Sequence, residues 1–186
     1  QKRAPAVATW GSIRGGVEEM IAIGISESLN RLMELQKELD KQIIEGRGLQ
    51  GRDLLPMRVL ALQVEIAELA QEVSDAWKFW KSPKPRDQKK VLEELVDCLH
   101  FLLSIGLAIG VDPYEAPFKI YRRMDLISQF DAMFDMARIC YIPEQWHWTL
   151  CVYLGLCDML GFDWDKIEAA YIAKNDLNLT RQEQGY

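Results

Sequence analysis

The sequence contains no long apolar run. Its longest apolar stretch, residues 99–111, is broken by His100 and Ser104, and it is shorter than the roughly 18 residues that a membrane-spanning helix needs. Strand-like alternation of apolar and polar residues between hairpin turns is missing as well. We therefore expect a soluble protein with no membrane partner, in which helices form the fold.

The chain has fewer basic residues than acidic residues. The chain has 22 Lys and Arg against 28 Asp and Glu, and its formal net charge is −6. A protein that binds duplex DNA normally presents a basic face or stripe, so we expect no nucleic-acid partner. A phosphate ligand would need metal ions or a local group of Lys and Arg to offset the field of the protein.

Cysteine is also sparse, with four residues and no Cys-x-x-Cys pair. The four stand mostly among apolar neighbours, which is typical of buried thiols in a reducing compartment. We assign no disulfide and expect a cytoplasmic location.

The length of 186 residues and the 49% share of hydrophobic residues fit one folded domain. Residues 1–24 are rich in small residues and contain no apolar core of a signal peptide, so we assign them to an N-terminal extension. The domain then covers residues 25–186.

Apolar residues recur at helical spacing along nearly the whole chain. Short loops between long helices favour an all-α fold, a compact antiparallel bundle of about six helices. The predicted helices cover residues 27–45, 56–80, 88–109, 113–138 with a break allowed at Pro117, 143–161, and 163 to at least 175.

Carboxylates border the apolar seam of the second predicted helix. That seam consists of Leu62, Ile66, Leu69, Val73, Ala76 and Trp80. At about 100° per residue, Glu65, Glu68 and Glu72 fall roughly 60 to 120° to one side of it. A purely solvated face would lie farther round the helix.

The third predicted helix carries Glu94 and Asp97 on the face opposite its leucine stripe. The same face continues through Phe101 and Ile105, so the helix is apolar nearly all round after Asp97, as buried helices are. We therefore expect both acids to be at least partly buried.

Four carboxylates in a low-dielectric setting repel one another unless they are protonated or compensated by cations. Carboxylate oxygens suit magnesium, or manganese, and Glu-x-x-Glu facing Glu-x-x-Asp would supply four ligands from two helices. A solvated acidic face is the ordinary alternative. A di-iron bundle is another, but it needs Glu-x-x-His on two helices, and only Glu144 and His147 match.

Two further groups of polar residues have the spacing of a binding site. Lys174, Asn178 and Arg181 would share one helix face that suits a polyphosphate, unless they belong to a frayed terminus. Gln36 and Asp40 fall inside an apolar stripe, where either a ligand or hydrogen bonds within the bundle would satisfy them.

The run WKFWKSPK places Lys78 among Trp77, Phe79 and Trp80. Such a run is usually a core anchor with snorkelling lysines. In a regular helix Lys78 would project away from the carboxylates, so a phosphate contact requires the helix to end or bend, or a second subunit to receive the side chain.

In combination, these stretches resemble the dimeric all-α dUTPases, within the wider MazG-like superfamily of nucleoside triphosphate pyrophosphohydrolases. The resemblance covers about residues 28–186. It is carried, in order, by LMELQKELD, LALQVEIAELAQE, WKFWKS, LEELVDCLHFLLSIGL and KNDLNLTRQEQGY.

The resemblance implies a role for each candidate residue. It implies magnesium at Glu65, Glu68, Glu94 and Asp97, with Glu65 as the base that activates water and Glu72 behind these ligands. It implies phosphate contacts from Lys174, Asn178, Arg181 and, more weakly, Lys78. It implies nucleoside contacts from Gln36, Asp40, Trp80 and Phe101. It also implies hydrolysis of dUTP and dUDP to dUMP, a homodimer with composite active sites, and a role in limiting uracil incorporation into DNA.

Two alternatives stay open. A related pyrophosphohydrolase acting on another nucleoside triphosphate, such as dCTP, would use the same acids. A non-catalytic helical binding or oligomerisation protein would use them only structurally.

Overall fold

A computed structural model describes residues 19–185 of the chain, and their side chains from residue 24 onward. The described part contains six α-helices, a short 3₁₀ turn at Ser74–Ala76 and two short strands. The elements are β1 Glu19–Ile23, α1 Ser26–Gly46, α2 Leu55–Glu72, α3 Gln88–Ile109, β2 Phe118–Arg122, α4 Leu126–Arg138, α5 Pro143–Met159 and α6 Trp164–Glu183. The all-α class and the six-helix bundle are confirmed.

Local capping explains where α3 and α6 begin and where α3 ends. The Asp87 side chain accepts hydrogen bonds from the first backbone N–H groups of α3, and Asp163 does the same for α6. Gly110 ends α3 in the left-handed conformation, with φ of 74°. Apart from the end of α2 and the start of α4, the helix bounds agree with the prediction to within two residues.

Helix α3 lies at the centre of the bundle and packs against α1, α2, α5 and α6. Its residues Leu95, Leu99, Leu103 and Ile105 are all fully buried. Because these side chains point to different sides, the helix is enclosed on both faces, as its composition predicted. None of the described helices is long and apolar enough to span a membrane.

The predicted helix from Pro113 to residue 138 is wrong in its first half. Residues 118–122 instead form β2, which pairs antiparallel with β1 in a backbone register that puts residue 21 opposite residue 120. Strand β2 lies against α5. There, the buried Gln129 amide donates to the backbone oxygens of Tyr121 and Val152, at 2.9 and 2.7 Å.

The close approach of β2 to α5 depends on a glycine. A Cβ atom at Gly155 would lie 1.8 Å from the backbone oxygen of Tyr121, so no other residue fits without moving the strand. The strands belong to a tertiary contact, which explains why local periodicity did not predict them. Of the predicted extension, residues 1–18 lie outside the described residues and residues 19–23 form β1.

The predicted second helix is too long, because α2 ends at Glu72 rather than at Trp80. The chain turns at Ser74–Ala76, and the Trp77 indole N–H then donates to the backbone oxygen of Ala70 at 2.7 Å. This hydrogen bond folds Trp77 back on the end of α2. The aromatic-basic segment therefore continues as a loop.

Candidate active site

Three of the predicted acids meet between α2 and α3. Glu65 and Glu68 on α2 and Glu94 on α3 each offer a carboxylate oxygen, and these oxygens all lie within 4.8 Å of one another. Glu65 and Glu94 are half-buried, whereas Glu68 is exposed. The helical spacing within each pair and the packing of α2 along α3 together produce this cluster.

The environment disfavours negative charge on these acids. Burial, followed by the charges of Asp97, Glu68 and Glu94, raises the pKa of Glu65 to about 7. Burial, with Asp97, Glu68 and Glu72 nearby, also raises the pKa of Glu94. The charge of Glu72 thus acts on the cluster, while its role behind the metal ligands stays a prediction.

One lysine partly offsets the excess of negative charge. Lys174 extends from α6 to α3, where its Nζ lies 2.8 Å from Oδ2 of Asp97. The same ammonium group acts to lower the pKa values of Glu65 and Glu94, although the raising effects are larger. Asp97 is thus paired with Lys174 and lies near the carboxylates of Glu65 and Glu94, whose pKa values its charge raises.

The donor set fits a hard divalent cation. It consists of carboxylate oxygens, which suit magnesium or manganese, and a cation among them would relieve their repulsion. Within residues 24–185, no other group of three His, Cys, Asp or Glu side chains brings its ligand atoms this close. Glu144 and His147, the residues of the di-iron alternative, line a separate hollow beside Trp148.

The candidate phosphate residues share one helix. Because α6 runs unbroken to Glu183, Lys174, Asn178 and Arg181 follow one another along a single face. Nη1 of Arg181 lies 3.3 Å from Oδ1 of Asn178, and both side chains are half-buried. Lys174 stands at the end of this row that meets the acids.

The aromatic-basic segment around Lys78 forms a loop, whereas the other candidate site residues lie on helices. Lys78 donates to Oε1 of Gln71 at 2.7 Å, and its Nζ lies 4.8 Å from the centre of the Trp77 ring. Phe79 and Trp80 are 92% and 57% exposed and stack edge to face. Because α2 ends at Glu72, the helix does end before Lys78, which is the condition for a phosphate contact of this residue. The phosphate contact of Lys78 and the base contact of Trp80 themselves stay predictions.

Gln36 lies at the centre of a buried hydrogen-bond network. Its Oε1 accepts from the Tyr171 hydroxyl at 2.6 Å and pairs with Nδ1 of His100 at 2.8 Å. Its Nε2 donates to Oδ1 of Asp40 at 2.7 Å. The network joins α1, α3 and α6.

Asp40 receives two further donors through Oδ2, the Ser104 hydroxyl at 2.6 Å and Nη2 of Arg58 at 3.2 Å. Both Gln36 and Asp40 are thus satisfied inside the bundle, which is the structural alternative for these residues. Phe101 is half-buried and packs against the core. The base contacts of Gln36, Asp40 and Phe101 stay predictions.

A family model described as dUTPase matches residues 28–186 of the chain. The chain belongs to the dUTPase family. The dUTPases are hydrolases that act on dUTP. A search of curated proteins finds no significant match.

The range matched by the dUTPase family model contains the acid cluster, the α6 row and the Gln36 network. The sequence reasoning missed four members of that network, namely Arg58, His100, Ser104 and Tyr171. A signal existed for two of them. His100 and Ser104 interrupt the apolar run of α3, and a polar residue in such a run needs a partner.

Proposed function

We propose that this member of the dUTPase family hydrolyses dUTP to dUMP and pyrophosphate, and dUDP to dUMP and phosphate, in a magnesium-dependent reaction. The reaction would limit uracil incorporation into DNA. The observation that carries this proposal is the cluster of Glu65, Glu68 and Glu94 oxygens within 4.8 Å of one another. Such a concentration of acids has a chemical use when a divalent cation and a polyphosphate share the site.

Glu65 is the residue best suited to activate the attacking water. A general base works best when its pKa lies near the operating pH, and the pKa of Glu65 is raised to about 7. Its carboxylate would take a proton from water as the water oxygen attacks a phosphorus of dUTP. The half-buried position of Glu65 limits competition from bulk solvent.

Glu65, Glu68, Glu94 and Asp97 would hold magnesium, or manganese, with Glu72 behind them. When bound, the cation would polarise the phosphate oxygens and neutralise the charge that develops on the leaving group. The chain supplies a cationic contact of its own to these acids, the Lys174 ammonium on Asp97. Wider membership of the MazG-like superfamily is part of the same proposal.

The α6 row would receive the phosphates. Arg181 offers a planar fork of donors, Lys174 a point charge and Asn178 a neutral amide. Lys174 already contacts Asp97, so the phosphate chain and the acids would meet at this residue.

The proposal also includes the nucleoside contacts, a homodimer and a cytoplasmic location. Gln36, Asp40 and Phe101 would border the nucleoside, and the exposed Trp80 and the half-buried Lys78 would reach the site of a second copy in a homodimer with composite active sites. The four cysteines are free and buried, which supports the proposed cytoplasmic location.

The test is a substrate panel with purified protein and Mg²⁺, in which dUTP, dUDP, dCTP and a purine triphosphate are compared. Phosphorus NMR and nucleotide chromatography identify the products. We expect kcat/KM to be highest for the uracil nucleotides, with dUMP as the nucleoside product. Much faster turnover of dCTP or a purine triphosphate would contradict the uracil assignment, and no turnover of any nucleotide would favour the non-catalytic alternative.

A further inference from the structure

A hollow at the far end of α3 lies apart from the acid cluster. It is enclosed by the segment that follows α3, the start of β2 and the first turns of α5, and its volume is about 430 Å³. Val111 lines it directly after the end of α3. At about 1.5 Å per residue, that end of the helix lies roughly 22 Å from Glu94. Hollows of this volume are large enough for small organic ligands.

Aromatic rings form the walls of this aromatic hollow. Phe118 at the start of β2 stacks on His147 of α5, with ring centroids 4.8 Å apart. The Trp148 ring stands nearly perpendicular to the His147 ring, with an interplanar angle of 86° and centroids 6.2 Å apart. Phe118 is buried and His147 is half-buried, whereas Trp148 is 39% exposed. The hollow therefore has a corner of aromatic rings, of which one is open to solvent.

The rings of this corner carry no positive charge. Burial lowers the pKa of His147, and the charge of Lys119 acts in the same direction while that of Glu115 opposes it. The imidazole is therefore neutral near pH 7. The π faces of phenyl and indole rings are negative and attract cations, and the indole of Trp148 is the stronger partner of the two.

Carboxylates surround the aromatic corner. Asp112 and Glu115 line the hollow from the segment after α3, Glu144 lines it from the first turn of α5, and all three are exposed. Among the described residues that line the hollow there is no Lys or Arg. The C-terminal end of α3 and the N-terminal end of α5 both border it, so their opposite dipoles offset each other. The net charge of the lining is thus negative.

The spacing of these acids does not suit a bare metal ion. Within residues 24–185, three ligand atoms converge only at Glu65, Glu68 and Glu94, so the carboxylates of the hollow and His147 do not form such a group. A divalent metal ion requires several oxygen ligands at about 2.0–2.6 Å. Separated carboxylates around an apolar corner instead suit a larger cation, whose charge is spread over alkyl groups.

We propose that the aromatic hollow binds a small organic ammonium ligand, with its cationic head against the Trp148 ring and its charge balanced by Glu115 and Glu144. The alkyl part of the ligand would pack against His147 and Phe118. This site is separate from the acid cluster, and the inference does not depend on dUTP hydrolysis.

The test compares two probes of nearly equal shape, choline and the uncharged 3,3-dimethyl-1-butanol. Calorimetric titrations into wild-type protein are made at saturating Mg²⁺, which occupies the acid cluster. We expect choline to bind at least about tenfold more tightly than the alcohol, because only choline gains the cation–π contact and the attraction of the carboxylates. No detectable binding of choline, or equal affinity for the two probes, would overturn the inference.

Two variants locate the bound cation. Trp148→Leu keeps an apolar side chain but removes the π face, so we expect choline affinity to fall at least about fivefold. Glu144→Gln should lower it about threefold, as expected for one exposed charge. The matched control is Glu34→Gln, since Glu34 is exposed and pairs with Lys37 on α1.

Circular dichroism and thermal unfolding check that each variant is folded. Wild-type choline affinity in a folded Trp148→Leu protein would overturn the inference, as would equal losses in Glu144→Gln and Glu34→Gln. If Trp148→Leu does not fold, the comparison of the two glutamine variants decides.

Discussion

Helix α3 carries two polar groupings, and they differ in how their polar groups are satisfied. Glu94 and Asp97 belong to the acid cluster, in which like charges raise the pKa values of their neighbours. His100 and Ser104, about one to two turns further along, belong to the Gln36 network, where nearly every donor meets an acceptor.

This difference separates side chains whose charges are left largely uncompensated from side chains whose polar groups are satisfied within the protein. In the Gln36 network, hydrogen bonds within the protein compensate for burial. In the acid cluster, Lys174 supplies one positive charge for several carboxylates. The remaining repulsion is relieved only by protonation or by an added cation.

The largest effect is expected from Glu65→Gln. The amide cannot take a proton from water, so we expect kcat for dUTP to fall by about 10³-fold, within the usual range for loss of a general base. Steady-state kinetics at saturating Mg²⁺ measure the change. The matched control is Glu93→Gln, because the Glu93 carboxylate is exposed and pairs with Lys89 within the same helix. Equal losses in both variants would remove the distinction between cluster and surface acids.

Replacing Lys174 by methionine should change metal and nucleotide binding in opposite directions. Removal of the ammonium from Asp97 frees the cluster for a cation, and we expect Mg²⁺ affinity without nucleotide to rise about tenfold, on the order of one well-placed charge pair. Affinity for dUTP should fall because a phosphate donor is lost.

Calorimetric titrations of Mg²⁺ and of a non-hydrolysable dUTP analogue measure the two affinities, and Lys174→Arg serves as the charge-conserving control. Weaker Mg²⁺ binding in Lys174→Met would contradict the role of Lys174 as a competing counter-ion.

Ser104→Ala tests the Gln36 network. Loss of the hydroxyl leaves Oδ2 of Asp40 with Arg58 alone, so we expect the free energy of unfolding to fall by about 1 kcal/mol. Mg²⁺ affinity should stay at the wild-type value. Urea unfolding and metal titration test both statements, with the exposed Ser82→Ala as control. A changed Mg²⁺ affinity with unchanged stability would reverse the assignment of the two groupings.

The smallest effect is a pH dependence of stability in metal-free protein. The pKa of Glu65 is about 7 in the folded state against 4.5 ordinarily, so the folded state binds more protons between these values and Glu65 favours unfolding as pH rises. His100 has a lowered pKa and acts in the opposite direction, so the useful quantity is the difference between wild type and Glu65→Gln.

We expect the free energy of unfolding of wild type, minus that of Glu65→Gln, to decrease from pH 5 to pH 7.5 when no metal is present. The change should be modest, because solvent screens a half-exposed carboxylate. Urea unfolding in the presence of a chelator measures it. A difference that increases over this range would mean that the cluster does not disfavour the ionised form of Glu65.

The acid cluster was predictable because its geometry is mostly local. Glu65 and Glu68 share a helix face by their spacing, as do Glu94 and Asp97, and the apolar seams of the two helices bring the faces together. The α6 row was predictable for the same reason, since it depends on an unbroken helix with an Asp163 cap.

The features that the sequence did not reveal depend on partners distant along the chain. Strand β2 is held by Gln129 and by the missing Cβ of Gly155, and neither effect appears in local periodicity. Helix α2 stops where Trp77 folds back on Ala70. Gln36 and its partner Tyr171 are 135 residues apart in the sequence. The sequence therefore indicated a polar residue in an apolar stripe but not the residue that it contacts.

The central claim is that the Glu65, Glu68, Glu94 and Asp97 carboxylates form one site for a divalent cation. Calorimetric titration of Mg²⁺ into nucleotide-free wild type, Glu94→Gln and Glu93→Gln tests it most directly, because these two variants neutralise neighbouring acids of α3. We predict wild-type affinity in Glu93→Gln and a loss of at least about tenfold, roughly 1.4 kcal/mol, in Glu94→Gln. Unchanged affinity in a folded Glu94→Gln protein, or no Mg²⁺ binding by wild type, would contradict the claim.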